Sequence, residues 1–277
     1  MVDIEAHKRP SETTEPAIIE IGRAPIRVVS ESGCIDWILR ELDAGRGGWV
    51  VTANVDILRQ WSREAEIRSL ISEAYLVADG MPLVWASRIL GSTLPERVCG
   101  SNLIFSLSAA LAKRQRSIFL MGGDAGTAEE TASILRDRYP GLQIAGFHPL
   151  PAGFDQDSSL KINLRATLAA VRPDVVYVAL GFPKQERVIA EFRRALPEAW
   201  WLGVGISFSF VSGEVPRAPM WMQKIGVEWL HRLAKEPGRL ASRYLVHDLP
   251  FTAKLLFSCV VARFGTWFSY LKGSKPK

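Results

Sequence analysis

Short apolar segments alternate with amphipathic helical segments along most of this 277-residue chain, and this alternation constrains the fold more than any other feature. The clearest unit is S-I-F-L-M-G-G-D-A-G-T-A-E-E-T-A-S-I-L at residues 117–135, which predicts a strand, a glycine-rich turn and a helix. Further strands are predicted at residues 18–21, 26–29, 49–52, 75–78, 142–145, 174–180 and 200–204, and helices at 31–42 and 56–72. Apolar strands separated by helices predict an α/β fold with a mainly parallel sheet and helices on both faces.

Ligands bind beyond the carboxyl ends of the strands in sheets of this kind. Several polar residues and glycines directly follow or end predicted strands: Thr52, Asn54, Asp79, Gly122, Gly123, Gly181 and Gln185. Because parallel strands bring their carboxyl ends to one edge, the sequence predicts a single site there.

Composition restricts the class of protein only loosely. The net charge of +5 suits an anionic partner, such as phosphates, a membrane surface or nucleic acid. Three widely spaced cysteines predict neither a disulfide framework nor a zinc site, which favours a reducing, cytoplasmic setting. The polar N-terminus lacks the apolar stretch of a signal peptide, and without a run of about 18 uncharged apolar residues no spanning helix is predicted.

The character of the chain changes near residue 228. Arg232, Arg239 and Arg243 have a spacing that places them on roughly one helical face, although Pro237 interrupts the helix. The segment 249–277 is rich in Phe, Leu, Val and Trp with interspersed Lys, which suits a membrane interface or a helix packed on the domain. We therefore predict a flexible tail at 1–17, an α/β core at 18–227 and a C-terminal helical appendage at 228–277.

Several other chemistries lack support in the sequence. The turn Gly122–Gly126 matches neither the dinucleotide-binding nor the Walker fingerprint. The D-x-D at Asp155 and Asp157 lies in a polar loop with no strand before it, and no histidine has metal-ligand spacing, so no metal site is predicted. The chain has no G-x-S-x-G elbow, and the basic, aromatic tail is too apolar for a nucleic-acid surface.

One carboxylate stands out in V-A-D-G-M-P-L-V-W, residues 77–85. Asp79 is surrounded by apolar residues, and a carboxylate is costly to bury unless it is paired or functional. The adjacent Gly and Pro predict that it ends a strand, where it either works chemically or stabilises a turn.

Four segments together resemble one family: T-A-N-V-D from residue 52, A-D-G-M-P…E-R-V-C-G-S-N-L from 78, L-G-F-P-K-Q-E from 180, and G-V-G-I-S-F-S-F-V-S-G-E-V-P-R-A-P…G-V-E-W-L-H-R-L-A-K-E-P-G-R-L-A-S-R-Y from 203. This resembles the WecG/TagA/CpsF family of bacterial glycosyltransferases, glycosyltransferase family 26. The resemblance implies a Rossmann-like core with a membrane-associating appendage. It also implies a metal-independent, inverting transfer of a hexose from a UDP-sugar to a polyprenyl-pyrophosphate-linked acceptor, without cofactor, at the cytoplasmic face of the inner membrane.

The resemblance also assigns roles residue by residue. Asp79 matches the catalytic base, Thr52 and Asn54 match residues that hold the sugar or acceptor, and Arg97 matches an arginine facing the leaving phosphate. Gln185 would orient donor or acceptor. The donor is expected at Gly122, Gly123, Gly181, Phe182 and Glu186, and the acceptor pyrophosphate at Arg217, Arg232, Arg239 and Arg243. Structural alternatives are a surface salt bridge of Arg97 with Glu96 or another acid, structural roles for Gln185 and Glu186, with Glu186 holding the helix start, and exposed solvating arginines.

The sequence leaves the donor sugar open among glucose, N-acetylmannosamine and N-acetylmannosaminuronate. Ser209 stands where family members often have an acid, and residues 146–151 depart from the usual aromatic stretch.

A homo-oligomer is a further expectation. Two other classes are a non-catalytic nucleotide-sugar-binding partner in an assembly complex and a nicotinamide-dependent dehydrogenase, which the missing fingerprint disfavours.

Overall fold

The computed structural model describes residues 15–271, and its side chains are described except at residues 224 and 265–271. Its centre is an eight-stranded sheet in the order β1-β2-β4-β3-β8-β7-β5-β6. The strands are β1 (Ile18–Ile21), β2 (Ala24–Arg27), β3 (Gly48–Ala53), β4 (Tyr75–Ala78), β5 (Ser117–Gly122), β6 (Gln143–His148), β7 (Val175–Ala179) and β8 (Trp200–Gly203). Every neighbouring pair is parallel except β1 and β2, which form an antiparallel hairpin.

Helices connect the parallel strands and continue to the C-terminal end of the described chain. They are α1 (Glu31–Asp43), α2 (Val55–Arg63), α3 (Ala65–Leu70), α4 (Met81–Leu90), α5 (Gly100–Ala112), α6 (Thr127–Arg138), α7 (Ser158–Val171), α8 (Lys184–Phe192), α9 (Ser207–Ser212), α10 (Met220–Ile225), α11 (Glu228–Lys235), α12 (Pro237–Ala241) and α13 (Leu249–Leu271). A π-helical segment, Ser242–Asp248, joins α12 to α13. Short 3-10 turns lie at Phe154–Gln156 and Arg193–Ala195.

The core has two layers because alternate residues of each strand face opposite sides of the sheet. Trp49 and Trp201 pack on one side with α2, α3, α4, α7, α8 and α13. Val50 and Tyr177 pack on the other side with α1, α5, α6 and α9. The predicted α/β class with a mainly parallel sheet and helices on both faces is confirmed.

Predicted and observed elements overlap throughout, with one clear difference. The helix predicted at residues 56–72 is divided, because Glu64 has extended backbone angles between α2 and α3. Arg68 Nη1 donates to the carbonyl of Trp61 at 2.8 Å, which satisfies an acceptor in the last turn of α2. Residues 1–14 of the predicted tail lie outside the described residues. The division at residue 228 coincides with the start of α11 and stays a prediction as a domain boundary.

Candidate active site

The carboxyl ends of β3 and β4 bring the first predicted site residues together. Ala53 and Ala78 are paired across the two strands, and the amide of Asp79 donates to the carbonyl of Ala53 at 2.8 Å. Thr52 and Asn54 therefore border the residue that carries the carboxylate. Asn54 caps α2, where its Oδ1 accepts from the amide of Ile57 at 3.1 Å, and its Nδ2 has no partner within the described chain.

Asp79 is half-buried at this edge of the sheet. Burial raises the pKa of Asp79 from an ordinary 3.8 to about 7. Arg97, Arg217 and Arg232 oppose that rise through their positive charges, while the negative charge of Glu228 adds to it. Asp79 therefore titrates in the range where a carboxylate can accept a proton near neutral pH.

Two of those arginines share one carboxylate. Arg97 places Nη2 3.6 Å from Oε2 of Glu228, and Arg217 places Nε 3.1 Å from Oε1. Arg97 also donates to the carbonyl of Gln223 at 2.8 Å. The expected salt bridge of Arg97 is therefore made with an acid other than Glu96, which accepts the amide of Glu31 at 2.8 Å. The loop that follows α4 is thus attached to α10 and α11.

Arg217 is fully engaged by the protein. Its Nη1 donates to the carbonyl of Ser101 at 3.2 Å, and its Nη2 donates to Ser101 Oγ at 3.0 Å and to Asn102 Oδ1 at 2.7 Å. These contacts join the R-A-P segment to the start of α5. Arg217 therefore acts on Asp79 by charge from a fixed position.

The other three predicted acceptor arginines have different surroundings. Arg239 is exposed and pairs with Glu236 at 2.5 Å. Arg243 lies 3.2 Å from Oδ2 of Asp56 in α2. Arg232 is partly buried, and no ion pair to it is present in the part of the chain that the structure describes. These different partners do not bring the four arginines into one cluster.

Gln185 and Glu186 connect two loops at the same edge of the sheet. Gln185 Oε1 accepts from the amides of Gly181 at 3.2 Å and Gly205 at 3.0 Å. Its Nε2 donates to Glu186 Oε1 at 2.9 Å. Both side chains are buried, and Glu186 Oε2 has no hydrogen-bond partner among the residues that the structure describes. Burial raises the pKa of Glu186 to about 7. Gln185 thus holds the loops after β7 and β8 together.

The predicted donor glycines form tight turns beside those loops. Gly122 has φ of +89°, and a Cβ there would lie 2.5 Å from the carbonyl oxygen of Ala179. Gly123 donates its amide to the same carbonyl at 2.8 Å. Gly181 also has a positive φ but faces open space, and Phe182 packs partly against the core. The fold itself therefore requires Gly122, whereas Gly181 leaves room beside the backbone.

Among the described residues, no group of three or more His, Cys, Asp or Glu side chains is placed to hold a metal ion. Asp157 of the D-x-D sequence caps α7, where Oδ1 accepts from the amides of Ser159 at 2.9 Å and Leu160 at 3.0 Å. Its role in the structure is that of a helix cap.

Two acidic residues that the sequence analysis left unassigned also lie at this site. Glu228 receives Arg97 and Arg217, and Glu214 accepts a hydrogen bond from Thr127 at 2.9 Å. Both lie inside the quoted motifs, as the acids of G-V-E-W and G-E-V-P, which was the available signal.

The C-terminal helices pack on the core and leave an apolar face open. Leu255 and Cys259 are buried against the α4 side of the core, whereas Phe257 and Val261 are 70% and 54% exposed. The helical run Pro237–Phe264 is long and apolar enough, by length and composition, to cross a membrane. The helix is thus a candidate span by length and composition, and the expectation that the chain has no spanning helix stays a prediction.

A mainly parallel α/β sheet whose carboxyl edge carries a half-buried carboxylate influenced by several arginines is typical of enzymes that act on phosphate-bearing substrates. The model of the glycosyl transferase WecG/TagA/CpsF family matches residues 19–264, and the chain belongs to this family. The resemblance found in the sequence motifs is thereby confirmed, as is the prediction of a glycosyltransferase.

Three curated relatives of this chain carry the same name. A Bacillus spizizenii protein is 32% identical over 199 residues, which cover 72% of this chain and 75% of the relative. A Bacillus subtilis protein is 31% identical over 207 residues, 74% and 78% of the two chains. A Staphylococcus aureus protein is 31% identical over 198 residues, 70% and 76%. Each relative is named N-acetylglucosaminyldiphosphoundecaprenol N-acetyl-beta-D-mannosaminyltransferase.

Proposed function

We propose that this protein is an inverting, metal-independent glycosyltransferase that moves a hexose from a UDP-sugar to a polyprenyl-pyrophosphate-linked acceptor in bacterial surface polysaccharide synthesis. The observation that carries the proposal is the half-buried Asp79 at the end of β4, on which the charges of Arg97, Arg217 and Arg232 act and whose pKa burial raises to about 7. A carboxylate in that state suits proton abstraction from an acceptor hydroxyl.

The proposed step is a single displacement at the anomeric carbon. The acceptor oxygen forms the new bond to that carbon while Asp79 takes the hydroxyl proton. The bond between the anomeric carbon and the donor phosphate breaks, and UDP leaves with the electron pair. A single displacement from the opposite face inverts the configuration.

The neighbouring residues supply charge and position. Arg97 and Arg232 would offset the negative charge that develops on the departing diphosphate, the task a metal performs in other transferases. Thr52 and Asn54 border Asp79. Their side chains, including the Asn54 Nδ2 group that has no partner among the described residues, would hydrogen-bond the reacting sugar or acceptor. Gln185, with all its polar atoms engaged, would position the donor-side loops rather than contact the reacting atoms.

The remaining residues are assigned to the two substrates by the same proposal. Gly122, Gly123, Gly181, Phe182 and Glu186 border the donor, and Arg217, Arg232, Arg239 and Arg243 lie on the acceptor side. Arg217 and Arg243 are held by ion pairs with Glu228 and Asp56 and would act on the acceptor by charge, whereas Arg232 has no ion pair among the described residues and would contact the acceptor directly.

The names of the relatives make N-acetylmannosamine the first donor to test, before glucose and N-acetylmannosaminuronate. The same names support a lipid-diphosphate acceptor. We also propose a peripheral position at the cytoplasmic face of the inner membrane, which such an acceptor and the exposed apolar face of α13 support. A non-catalytic nucleotide-sugar-binding role is the alternative, and self-association stays a prediction.

The test is UDP release by purified protein with a panel of UDP-sugars and a polyprenyl-pyrophosphate-linked acceptor, in the presence of EDTA. Acceptor-dependent release from one donor, with the opposite anomer in the product, is the expected result. Activity that EDTA abolishes and a divalent cation restores would overturn the metal-independent step. UDP-sugar binding without turnover on a verified acceptor would favour the non-catalytic alternative.

A further inference from the structure

The loop after α9 holds an exposed carboxylate in a fixed place. Thr127, the buried first residue of α6, donates its hydroxyl to Oε1 of Glu214 at 2.9 Å. The amide of Val215 donates to the carbonyl of Ser209 at 3.1 Å, which anchors the loop to α9. Thr131 in turn donates to the carbonyl of Phe208 at 3.2 Å, so α9 is fastened to α6.

This carboxylate lies beside the glycine turn that follows β5. A Cβ on Gly123 would stand 3.5 Å from Cβ of Thr127 and 3.2 Å from Cδ2 of Phe208. The residue that holds Glu214 is therefore packed against the turn at the carboxyl edge of the sheet, where ligands of such folds bind.

The negative charge of Glu214 determines which chemical groups can bind beside the glycine turn. Glu214 is exposed, and it has no cationic partner among the residues that the structure describes. A carboxylate repels a second anion at short range but accepts hydrogen bonds from hydroxyl groups. A diphosphate is therefore disfavoured beside Glu214, whereas a ribose diol is favoured.

Two cationic side chains and one acidic side chain lie near the same loop. Val215 and Pro216 line a small, open surface pocket together with Arg232, Lys235 and Glu236. The loop therefore carries Glu214 beside the glycine turn and lies next to Arg232 and Lys235, whose charges can attract phosphate.

We infer that Glu214 binds the ribose hydroxyls of the nucleoside diphosphate donor, with the diphosphate directed past the loop toward Arg232. Thr127 is the positioning residue that holds the carboxylate. This inference rests on the proposed function, since it specifies how that donor lies on the sheet. It assigns nucleoside recognition to the loop after α9 rather than to the glycine turn alone.

The experiment measures binding of UDP, 2′-deoxy-UDP and 3′-deoxy-UDP to the full chain by calorimetry. Wild-type protein is expected to bind UDP more tightly than at least one deoxy analogue. Glu214→Gln should lower the affinity for UDP about tenfold or more, as expected for a hydrogen bond to a charged group, and leave that analogue's affinity unchanged. Thr127→Val should give a smaller loss of the same kind, and Thr127→Ser should restore it.

The matched control is Glu130→Gln, which removes an exposed charge from the first turn of the same helix and should bind all three nucleotides like wild type. Equal losses for all three nucleotides in Glu214→Gln, or no loss, would overturn the inference while leaving the donor class intact. Failure of wild-type protein to bind UDP would instead overturn the proposed donor, and the inference with it.

Discussion

Arg217 places its Nε 3.1 Å from Oε1 of Glu228, and this ion pair joins the R-A-P segment to the first residue of α11. The other carboxylate oxygen of Glu228 faces Arg97 at 3.6 Å. The two arginines lower the pKa of Asp79 and Glu228 raises it, so the ion pair sets the charge around the proposed base.

Glu228→Gln should move the acid limb of the pH profile of kcat/KM to lower pH. Removing the negative charge leaves the arginines less compensated, which lowers the pKa of Asp79. The free energy of unfolding should also fall by about 1–3 kcal/mol, because two largely buried arginines lose a partner. Glu236→Gln, which affects only the exposed pair with Arg239, is the control. An acid limb that stays in place or rises would contradict the proposed coupling.

Arg232→Gln should shift the same acid limb in the opposite direction. Arg232 lowers the pKa of Asp79, so its removal raises that pKa and the enzyme needs a higher pH to ionise its base. The KM for the acceptor should rise as well. Arg172→Gln, which removes an exposed arginine paired with Glu198, is expected to leave the pH profile unchanged. The comparison requires only the pH dependence of initial rates.

Asp79→Asn should reduce kcat by about 10²-fold or more, with UDP binding retained. It should also stabilise the protein at pH 8 by roughly 2–4 kcal/mol, since each pKa unit corresponds to about 1.4 kcal/mol. The folded carboxyl has a raised pKa and holds its proton more tightly than the unfolded chain does. Its ionisation therefore costs stability progressively as the pH rises from about 4 to about 7.

Thermal unfolding of Asp79→Asn and wild type at several pH values checks this sign. The difference in stability should be small near pH 4 and level above about pH 7. Asp36→Asn, at an exposed position of α1, should show no such dependence. Near wild-type turnover in Asp79→Asn would remove the base assignment.

Gln185→Ala should lower the free energy of unfolding by about 1–3 kcal/mol, because the amides of Gly181 and Gly205 lose their acceptor. The KM for the UDP-sugar should rise, since the two loops are no longer held together. Gln143→Ala, at an exposed position of β6, is the matched control and should be near neutral. Unchanged denaturant unfolding of Gln185→Ala would show that the loops do not depend on it.

The double variant Phe257→Ser and Val261→Ser should weaken binding to anionic vesicles about tenfold or more, because it removes exposed apolar area from α13. Its melting temperature should stay close to wild type, since neither side chain is buried. The control is Ile162→Ser with Val171→Ser, which removes exposed apolar groups from α7. Equal vesicle flotation of both double variants and wild type would exclude α13 as the membrane contact.

The local sequence was sufficient to predict most of the elements and to assign the candidate site residues to one edge of the sheet. Hydrophobic patterning depends on near neighbours, so strands such as β4 and β7, and the position of Asp79 at a strand end, were predictable. The polar residues after strands could be assigned to one edge because parallel strands align their carboxyl ends.

Only the tertiary structure determined which charged and polar side chains form ion pairs and hydrogen bonds with one another. Glu228 contacts Arg97 and Arg217 because α11 folds back over the loop after α4, and no local pattern encodes that approach. The same holds for Thr127 and Glu214, which belong to separate elements. Periodicity reports which face of an element is apolar, whereas electrostatic pairs depend on how distant elements pack, and only the folded chain determines that.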